Sequence, residues 1–495
     1  MRILLLYPRY PDTFWSLRHA LKFIGKKASF PPLGLLTVAA LLPKEWEKKL
    51  IDMNVQELDD KDLEWTDYVF ISAMIVQKDS VKEIIKRAKK FDVKIVAGGP
   101  LFTTGYEEFL DDIDHFILNE AEVTLPQLLK DLEGKRPKHI YKATKFPDIT
   151  KSPTPLWELI NFKYYFSLSI QYSRGCPFNC EFCDIVIMNG RIPRTKTPEQ
   201  ILKELERLYS LGWRGGVFFV DDNFIGNKEK LKKETLPAII DWMEEKKHPF
   251  SFNTEASINL ADDEELLKLM VKAGFNTVFI GIETPNERSL RECGKFQNEN
   301  RNLIASIKKI QNQGLQVQGG FIVGFDNDTP SIFERQIQFI QRSGIVTAMI
   351  GLLNALPETR LYQRLKRSNR LIENSSGNNT DFSINFVPKM GFETLKEGYK
   401  KIVKTIYSPR YYYERIKIFL KEYRYPLKIE RVRVKTYHFT AFLKSVWRLG
   451  IMSPGRIYYW RLLFWCIFRR PTSLPLAVTL SIYGFHFRKI FDQNF

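Results

Sequence analysis

Three of the chain's five cysteines fall within eight residues, Cys176-Pro177-Phe178-Asn179-Cys180-Glu181-Phe182-Cys183, with the spacing C-x3-C-x2-C. Thiolates this close can converge on one metal centre, and three of them on a cubane iron–sulfur cluster would leave one iron without a protein ligand. That open iron is where chemistry could occur. A structural zinc site normally needs a fourth Cys or His in a second pair. Cys293 and Cys466 are single and remote in sequence, and none of the six histidines lies near the trio. Such cysteine usage does not make a disulfide framework, so a reducing compartment is the expected setting.

The elements that must position this loop can be read around it. Ser167-Leu168-Ser169-Ile170-Gln171-Tyr172 alternates like a strand, and Ser173-Arg174-Gly175 turns the chain into the cysteines. A helix from about Pro198 to Tyr209 precedes Gly216-Val217-Phe218-Phe219-Val220, a strand that ends on Asp221-Asp222-Asn223. Further strands run to Asn253-Thr254-Glu255-Ala256, from Thr277 to Glu283, from Val317 through Ile322, and near Ala348 to Leu353, with a helix at 262–273 between two of them. Carboxylates at strand ends place polar groups at one rim of a strand–helix repeat.

The first 140 residues alternate in the same way. Strands are expected at Ile3 to Tyr7, Lys49 to Met53, Tyr68 to Ser72, Lys94 to Ala97 and His115 to Leu118, with helices at Leu36 to Leu42 and about Ser80 to Phe91. This predicts a parallel sheet with helices on both faces, which binds ligands beyond the carboxyl ends of its strands. Gly98-Gly99-Pro100 and Asn119-Glu120-Ala121-Glu122 each follow a strand at that edge, and Pro31-Pro32-Leu33-Gly34 opens a helix. Their joint placement marks a ligand site. Residues 141–165, with Pro147, Pro153 and Pro155, read as a linker.

The chain has 495 residues, 44% of them hydrophobic and 27% charged, which suits two or three domains with real cores. Its apolar start is too short and too weakly charged to suggest a secretion signal. Of the net charge of +18, about +15 lies in residues 401–495, and residues 431–491 contain no Asp or Glu. There Arg and Lys interleave with Trp, Tyr, Phe and Leu, as in Arg456-Ile457-Tyr458-Tyr459-Trp460-Arg461. That mixture suits an anionic membrane surface. RNA binding is the competing use, but solvated RNA-binding faces seldom carry so much aliphatic surface, so nucleic acid is not the expected partner. The uncharged run Pro471 to Phe487 is near the lower limit for a span and contains Pro475 and Gly484, so it reads as an interfacial or re-entrant segment. Before it, Phe382 to Pro388 is expected as a strand and Thr394 to Tyr407 as an amphipathic helix.

The cysteine spacing with an aromatic before the last cysteine is the radical SAM signature. Together with Pro31 to Leu36, Gln171 to Cys176, Phe219 to Asn227, Gly281 to Pro285 and Leu353 to Pro357, it makes the chain resemble the cobalamin-binding radical SAM family of the DUF4070 type, which includes the hopanoid C-2 methylase. The resemblance implies an α/β protein: a Rossmann-like cobalamin-binding domain at 1–140, a partial (β/α)6 barrel at 166–368, and a mainly helical basic region at 369–495. It implies a [4Fe-4S] cluster on Cys176, Cys180 and Cys183, S-adenosylmethionine near Phe182, Asp221, Asp222, Glu255, Glu283 and Ile322, and cobalamin near Gly98, Gly99, Pro100 and Glu120. The Asp-x-His-x-x-Gly motif of many cobalamin domains is missing: Leu17 and Lys22 flank His19 where the Asp and Gly would stand, so cobalamin without a histidine ligand is expected. The implied activity is methyl transfer to an unactivated carbon of a lipid, hopanoid-like or otherwise hydrophobic, with an electron carrier such as flavodoxin or ferredoxin as donor. The implied location is cytoplasmic, peripheral to the inner face of the membrane. Alternatives are a radical rearrangement or cyclisation without methyl transfer, and a non-catalytic iron–sulfur adaptor on membrane or RNA.

Overall fold

Two parallel sheets, each of six strands, carry the first three-quarters of the chain. The computed structural model describes residues 1–372, 376–378, 381–424 and 436–494. In the first sheet the strands are β1 (Arg2–Tyr7), β2 (Glu47–Asp52), β3 (Tyr68–Ser72), β4 (Lys94–Gly98), β5 (His115–Leu118) and β6 (Ile140–Lys142), in the order β2-β1-β3-β4-β5-β6. Ile3, Leu4, Leu5 and Leu6 are all fully buried, as a strand covered by helices on both faces requires. The five expected strands are present within a residue or two. The sixth, Ile140–Lys142, pairs parallel with β5, so the sheet runs past the boundary set at residue 140.

The segment read as a linker is a packed connection. Trp157 is fully buried, Tyr165 donates its hydroxyl to Asp52 Oδ2 at 3.0 Å, and the Phe166 and Ser167 amides donate to the carbonyls of Ala28 and Ser29 at 3.0 Å each. These contacts tie the end of β2 to the start of the next sheet.

That second sheet begins at β7 (Ser167–Ile170). A small antiparallel pair, β8 (Ser173–Arg174) and β9 (Arg194–Thr195), brackets the cysteine loop. Then come β10 (Gly216–Phe219), β11 (Ser251–Glu255), β12 (Phe275–Glu283), β13 (Gln316–Val323) and β14 (Ala348–Leu352). The order β14-β13-β12-β11-β10-β7 is a six-stranded parallel half-barrel with helices outside, as expected. Along β10 the helix-facing Val217 and Phe219 are fully buried while Phe218, between them, is half-buried on the inner side.

The remaining chain is helical: Phe392–Tyr407, Pro409–Glu422, Thr436–Ser445 continuing through Val446–Ile451, Arg456–Arg469, and Leu474–Asn494. Phe382 to Pro388 does not form a strand, since only a single bridge joins Phe386 to Leu371. The uncharged stretch read as interfacial is instead the inner helix of this region. Phe487 stacks on Phe14 at 4.1 Å between centroids, Tyr412 donates its hydroxyl to the Leu480 carbonyl at 2.7 Å, and Ala477, Leu480 and Phe487 are fully buried. Its lack of charge reflects burial in protein. Among the described residues no helix is long and apolar enough to cross a membrane.

Candidate functional site

The cysteine loop leaves β7 and is held at both ends. Asp221, two residues beyond β10, accepts from the Tyr172 amide at 3.2 Å, from the Ser173 hydroxyl at 2.6 Å and from the Ser173 amide. Asp222 accepts from the Gly175 amide at 2.8 Å and from Asn189 Nδ2 at 3.0 Å. Both carboxylates therefore hold the backbone that presents Cys176. Burial pushes Asp221 up to about 7. On the far side, Arg364 forks onto Glu181 at 2.7 and 3.0 Å, and Arg360 Nη2 donates to the Asn179 carbonyl at 2.9 Å.

A third brace comes from residues 293–298. Cys293, remote in sequence, accepts from the Glu181 amide at 2.7 Å through its carbonyl, while its thiol donates to the Leu290 carbonyl at 3.4 Å and so turns away from the trio. Lys295 donates to Glu283 Oε1 at 2.7 Å, with both side chains about nine-tenths buried. Glu283 ends β12 in the left-handed region at φ 63°, beside a register shift at Gly281. Burial acts against the Lys295 ammonium, but Glu283 and the nearby Cys180 and Cys183 outweigh it and hold its pKa above the usual lysine value.

The other expected contacts sit around the barrel mouth. Glu255 ends β11 with its carboxyl pushed up to about 7 by burial and by the charges of Asp222 and Asp221. Ile322 is half-buried on β13, and Phe182 packs 6.4 Å from Phe325 between centroids.

A cleft of about 300 Å³ opens between the first sheet and the barrel. Its lining is part apolar, with Val38, Phe70, Val96, Ile117 and Leu125, and part polar, with Thr37, Ser72, Asn119, Gln171 and Arg174. Gly98 and Gly99 line it and Pro100 does not, since that proline opens the helix Pro100–Gly105. Gly99 needs its lack of side chain, having φ 89° and a position where a Cβ would stand 2.7 Å from Ser72 Oγ. Glu120 also lines the cleft, but its carboxylate is taken up by Arg194, at 2.7 and 3.1 Å, and by Arg174. Arg174 pairs in turn with Glu122 at 2.8 Å. Burial raises Glu122, yet Arg174 outweighs it and holds the carboxyl at about 2. Among the described residues no histidine lines the cleft. His19 stands elsewhere, 3.7 Å from Asp12 and against His486 of the inner C-terminal helix.

Family models match three stretches of the chain: the radical SAM superfamily at residues 170–340, a B12 binding domain at 27–129, and a domain of unknown function, DUF4070, at 359–494. An uncharacterized methyltransferase of Synechocystis sp. is 42% identical over 98% of this chain and 91% of its own length. The hopanoid C-2 methylase of Rhodopseudomonas palustris is 34% identical over 93% of this chain and 88% of its own. The chain belongs to the cobalamin-dependent radical SAM methyltransferases. Its fold agrees: the cobalamin-dependent S-adenosylmethionine radical enzyme OxsB, solved with aqua-cobalamin and S-adenosylmethionine bound, superposes with a TM-score of 0.63 at 17% identity, over 100% of this chain and 79% of that one.

Cobalamin-dependent radical SAM methyltransferases use a [4Fe-4S] cluster, S-adenosylmethionine and cobalamin, and the residues present fit all three. Burial pushes the thiols of Cys176, Cys180 and Cys183 up, Cys183 to about 12. Desolvated thiols need a strongly positive centre to ionise, which iron supplies. For cobalamin, the apolar side chains of the cleft suit the base of its nucleotide tail and the polar ones suit its amides. Asn119 Oδ1 is buried there without a partner, and a Cβ on Gly34 would meet open space. The cluster and S-adenosylmethionine supply one-electron cleavage chemistry when bound, and cobalamin carries a methyl group.

Sequence reasoning missed Arg174, Arg194, Lys295 and the brace around Cys293. Arg174 and Arg194 flank the cysteines in sequence, so their nearness was legible, but their partner Glu120 lies 54 and 74 residues away. The brace carries no local motif that would have revealed it.

Proposed function

We propose that this methyltransferase adds a methyl group to an unactivated carbon of a lipid, hopanoid-like in its bulk and apolarity, while resident at the inner face of the cytoplasmic membrane. The observation that carries the reading is the lining of the space between the first domain and the barrel. Phe30 packs on Phe218 of β10 at 5.1 Å between centroids, Trp15 meets Phe279 of β12 edge-on at 5.5 Å, and Trp15 Nε1 donates to Met349 Sδ of β14 at 3.0 Å. Phe218, Phe279 and Met349 all take half-buried inner positions on their strands. A wall of aromatic and thioether side chains favours an apolar substrate and keeps water from a reactive carbon. The likeness to the hopanoid C-2 methylase points to the same substrate class.

The chain's own groups have defined tasks in this scheme. Asp221, Asp222 and Arg364 fix the cysteine loop, Lys295 holds Glu283 beside it, and Glu120 with Arg174 locks the cofactor domain to the barrel. The test is anaerobic reconstitution with iron, sulfide, hydroxocobalamin, S-adenosylmethionine and a low-potential one-electron reductant such as reduced flavodoxin, in the presence of extracted membrane lipids. The expected result is 5′-deoxyadenosine together with a lipid heavier by one methyl group. Cleavage of S-adenosylmethionine with a product of unchanged or rearranged mass would overturn methyl transfer, and methylation confined to polar molecules would overturn the lipid.

A further inference from the structure

The inner helix Leu474–Asn494 is packed against the two helical stretches before it, and these carry a row of exposed apolar side chains. Phe439, Leu443 and Trp447 recur every four residues along one face of the stretch from Thr436–Ser445 into Val446–Ile451. Ile457, Phe464 and Phe468 share a face of Arg456–Arg469. Their inward positions, Leu449, Tyr459, Leu462 and Cys466, are fully buried, so the outward face is not a failure to pack. The two stretches are clasped together: Trp460 Nε1 donates to the Gly450 carbonyl at 2.9 Å, and Ser445 and Tyr459 share a hydroxyl bond of 2.8 Å.

Among the described residues, nine of the twenty exposed large apolar side chains lie between residues 439 and 468, with Trp447 at 59%, Phe464 at 53% and Phe468 at 79% exposure. So dense a cluster on a short stretch marks an interaction surface. Charge selects the occupant. Arg456, Arg461 and Arg469 are exposed on the second stretch, Lys444 and Arg448 are exposed on the first beside the Lys22 carbonyl and the Phe23 ring, and no Asp or Glu occurs from 431 to 491. A second copy of the chain would bring these cations against their own kind. RNA would leave the exposed Leu443, Ile451, Met452 and Ile457 without a role. An anionic bilayer takes both: its headgroups neutralise the cations, and the apolar side chains enter the acyl boundary.

We propose that the outer face of residues 436–469 docks on an anionic lipid bilayer, with Phe439, Trp447, Phe464 and Phe468 as the inserting side chains. The proposal does not depend on which molecule is methylated. It moves membrane contact away from the apolar stretch 471–487, which the fold buries.

The test is flotation of the full chain, reconstituted with cobalamin and cluster, with vesicles of phosphatidylcholine alone or containing about one-third phosphatidylglycerol. These vesicles hold no hopanoid-like lipid, so binding reports the face and not substrate recognition. Binding is expected to the anionic vesicles only and to weaken with salt. Phe464→Ser with Phe468→Ser should lower it by at least about tenfold per position. Arg461→Ser with Arg469→Ser should lower it about fivefold per residue. All four positions are exposed, and retained cobalamin in the variants shows that they fold. Loss of brominated-lipid quenching in Trp447→Phe reads insertion directly. Failure of the parent chain to float, equal flotation of the variants, RNA capture that the same variants abolish, or a dimer broken by them would each overturn the proposal.

Discussion

Glu120 joins the two halves of the enzyme, and replacing it with glutamine removes one negative charge while keeping the shape. Its side chain is 7% exposed and faces Arg194 at 2.7 Å, together with Arg174; those guanidinium side chains are 17% and 14% exposed. Charges about 4 Å apart in such surroundings attract by about 4 kcal/mol, and the cost of desolvating them has already been met on folding. Removing one partner from a buried pair costs about 3–5 kcal/mol, because the other charge stays buried and uncompensated. Arg174 keeps Glu122 at 2.8 Å, and Arg194 keeps the carbonyls of Pro147 at 2.9 Å and Asn189 at 3.0 Å. The loss should therefore fall at the low end, about 3 kcal/mol. Urea unfolding of Glu120→Gln, Arg194→Met and the double variant measures it, with a coupling energy of about 2 kcal/mol expected from the cycle. If Glu120 instead served cobalamin directly, the urea midpoint would stay in place while cobalamin affinity fell. That outcome, or a coupling near zero, would refute the reasoning.

The remaining predictions concern single groups. Lys295→Met leaves Glu283 uncompensated beside the cysteines, so the cluster should become harder to reduce; a redox titration followed by electron paramagnetic resonance that shows an unchanged potential would count against it. Glu122, held at about 2 against an ordinary 4.5, contributes stability that is full above pH 4.5 and is lost as the pH falls through about 2. The gap in unfolding free energy between the parent and Glu122→Gln should be about 3 kcal/mol at pH 7 and should narrow steadily below pH 4; a gap that does not change with pH would exclude Arg174 as its cause. Gly99→Ala, at φ 89° with a Cβ 2.7 Å from Ser72 Oγ, should destabilise by about 1–3 kcal/mol and reduce cobalamin uptake, both readable from the retained corrin absorbance after gel filtration.

What could be read in the sequence was local, and what could not was produced by chain crossings. Continuous apolar runs such as Ile3 to Leu6 announce buried parallel strands because the residues themselves carry the pattern. The cysteine trio is legible for the same reason. Asp221 and Asp222 show the limit: their place at a strand end was legible, but their bonds to the amides of Ser173 and Gly175 depend on a loop some fifty residues away and leave no local mark. Residues 471–487 show it again, since an apolar helix bound for lipid and one bound for Phe14 and Tyr412 differ only in what surrounds them. Exposure resolves that ambiguity in the opposite sense from composition. The uncharged stretch is inside, and the stretch that mixes arginine with phenylalanine keeps its apolar side chains outside. Phe468 at 79% exposure beside Arg469 is what the proposed bilayer contact requires, and the proposed apolar substrate would give the enzyme a physical reason to rest where such molecules are dissolved.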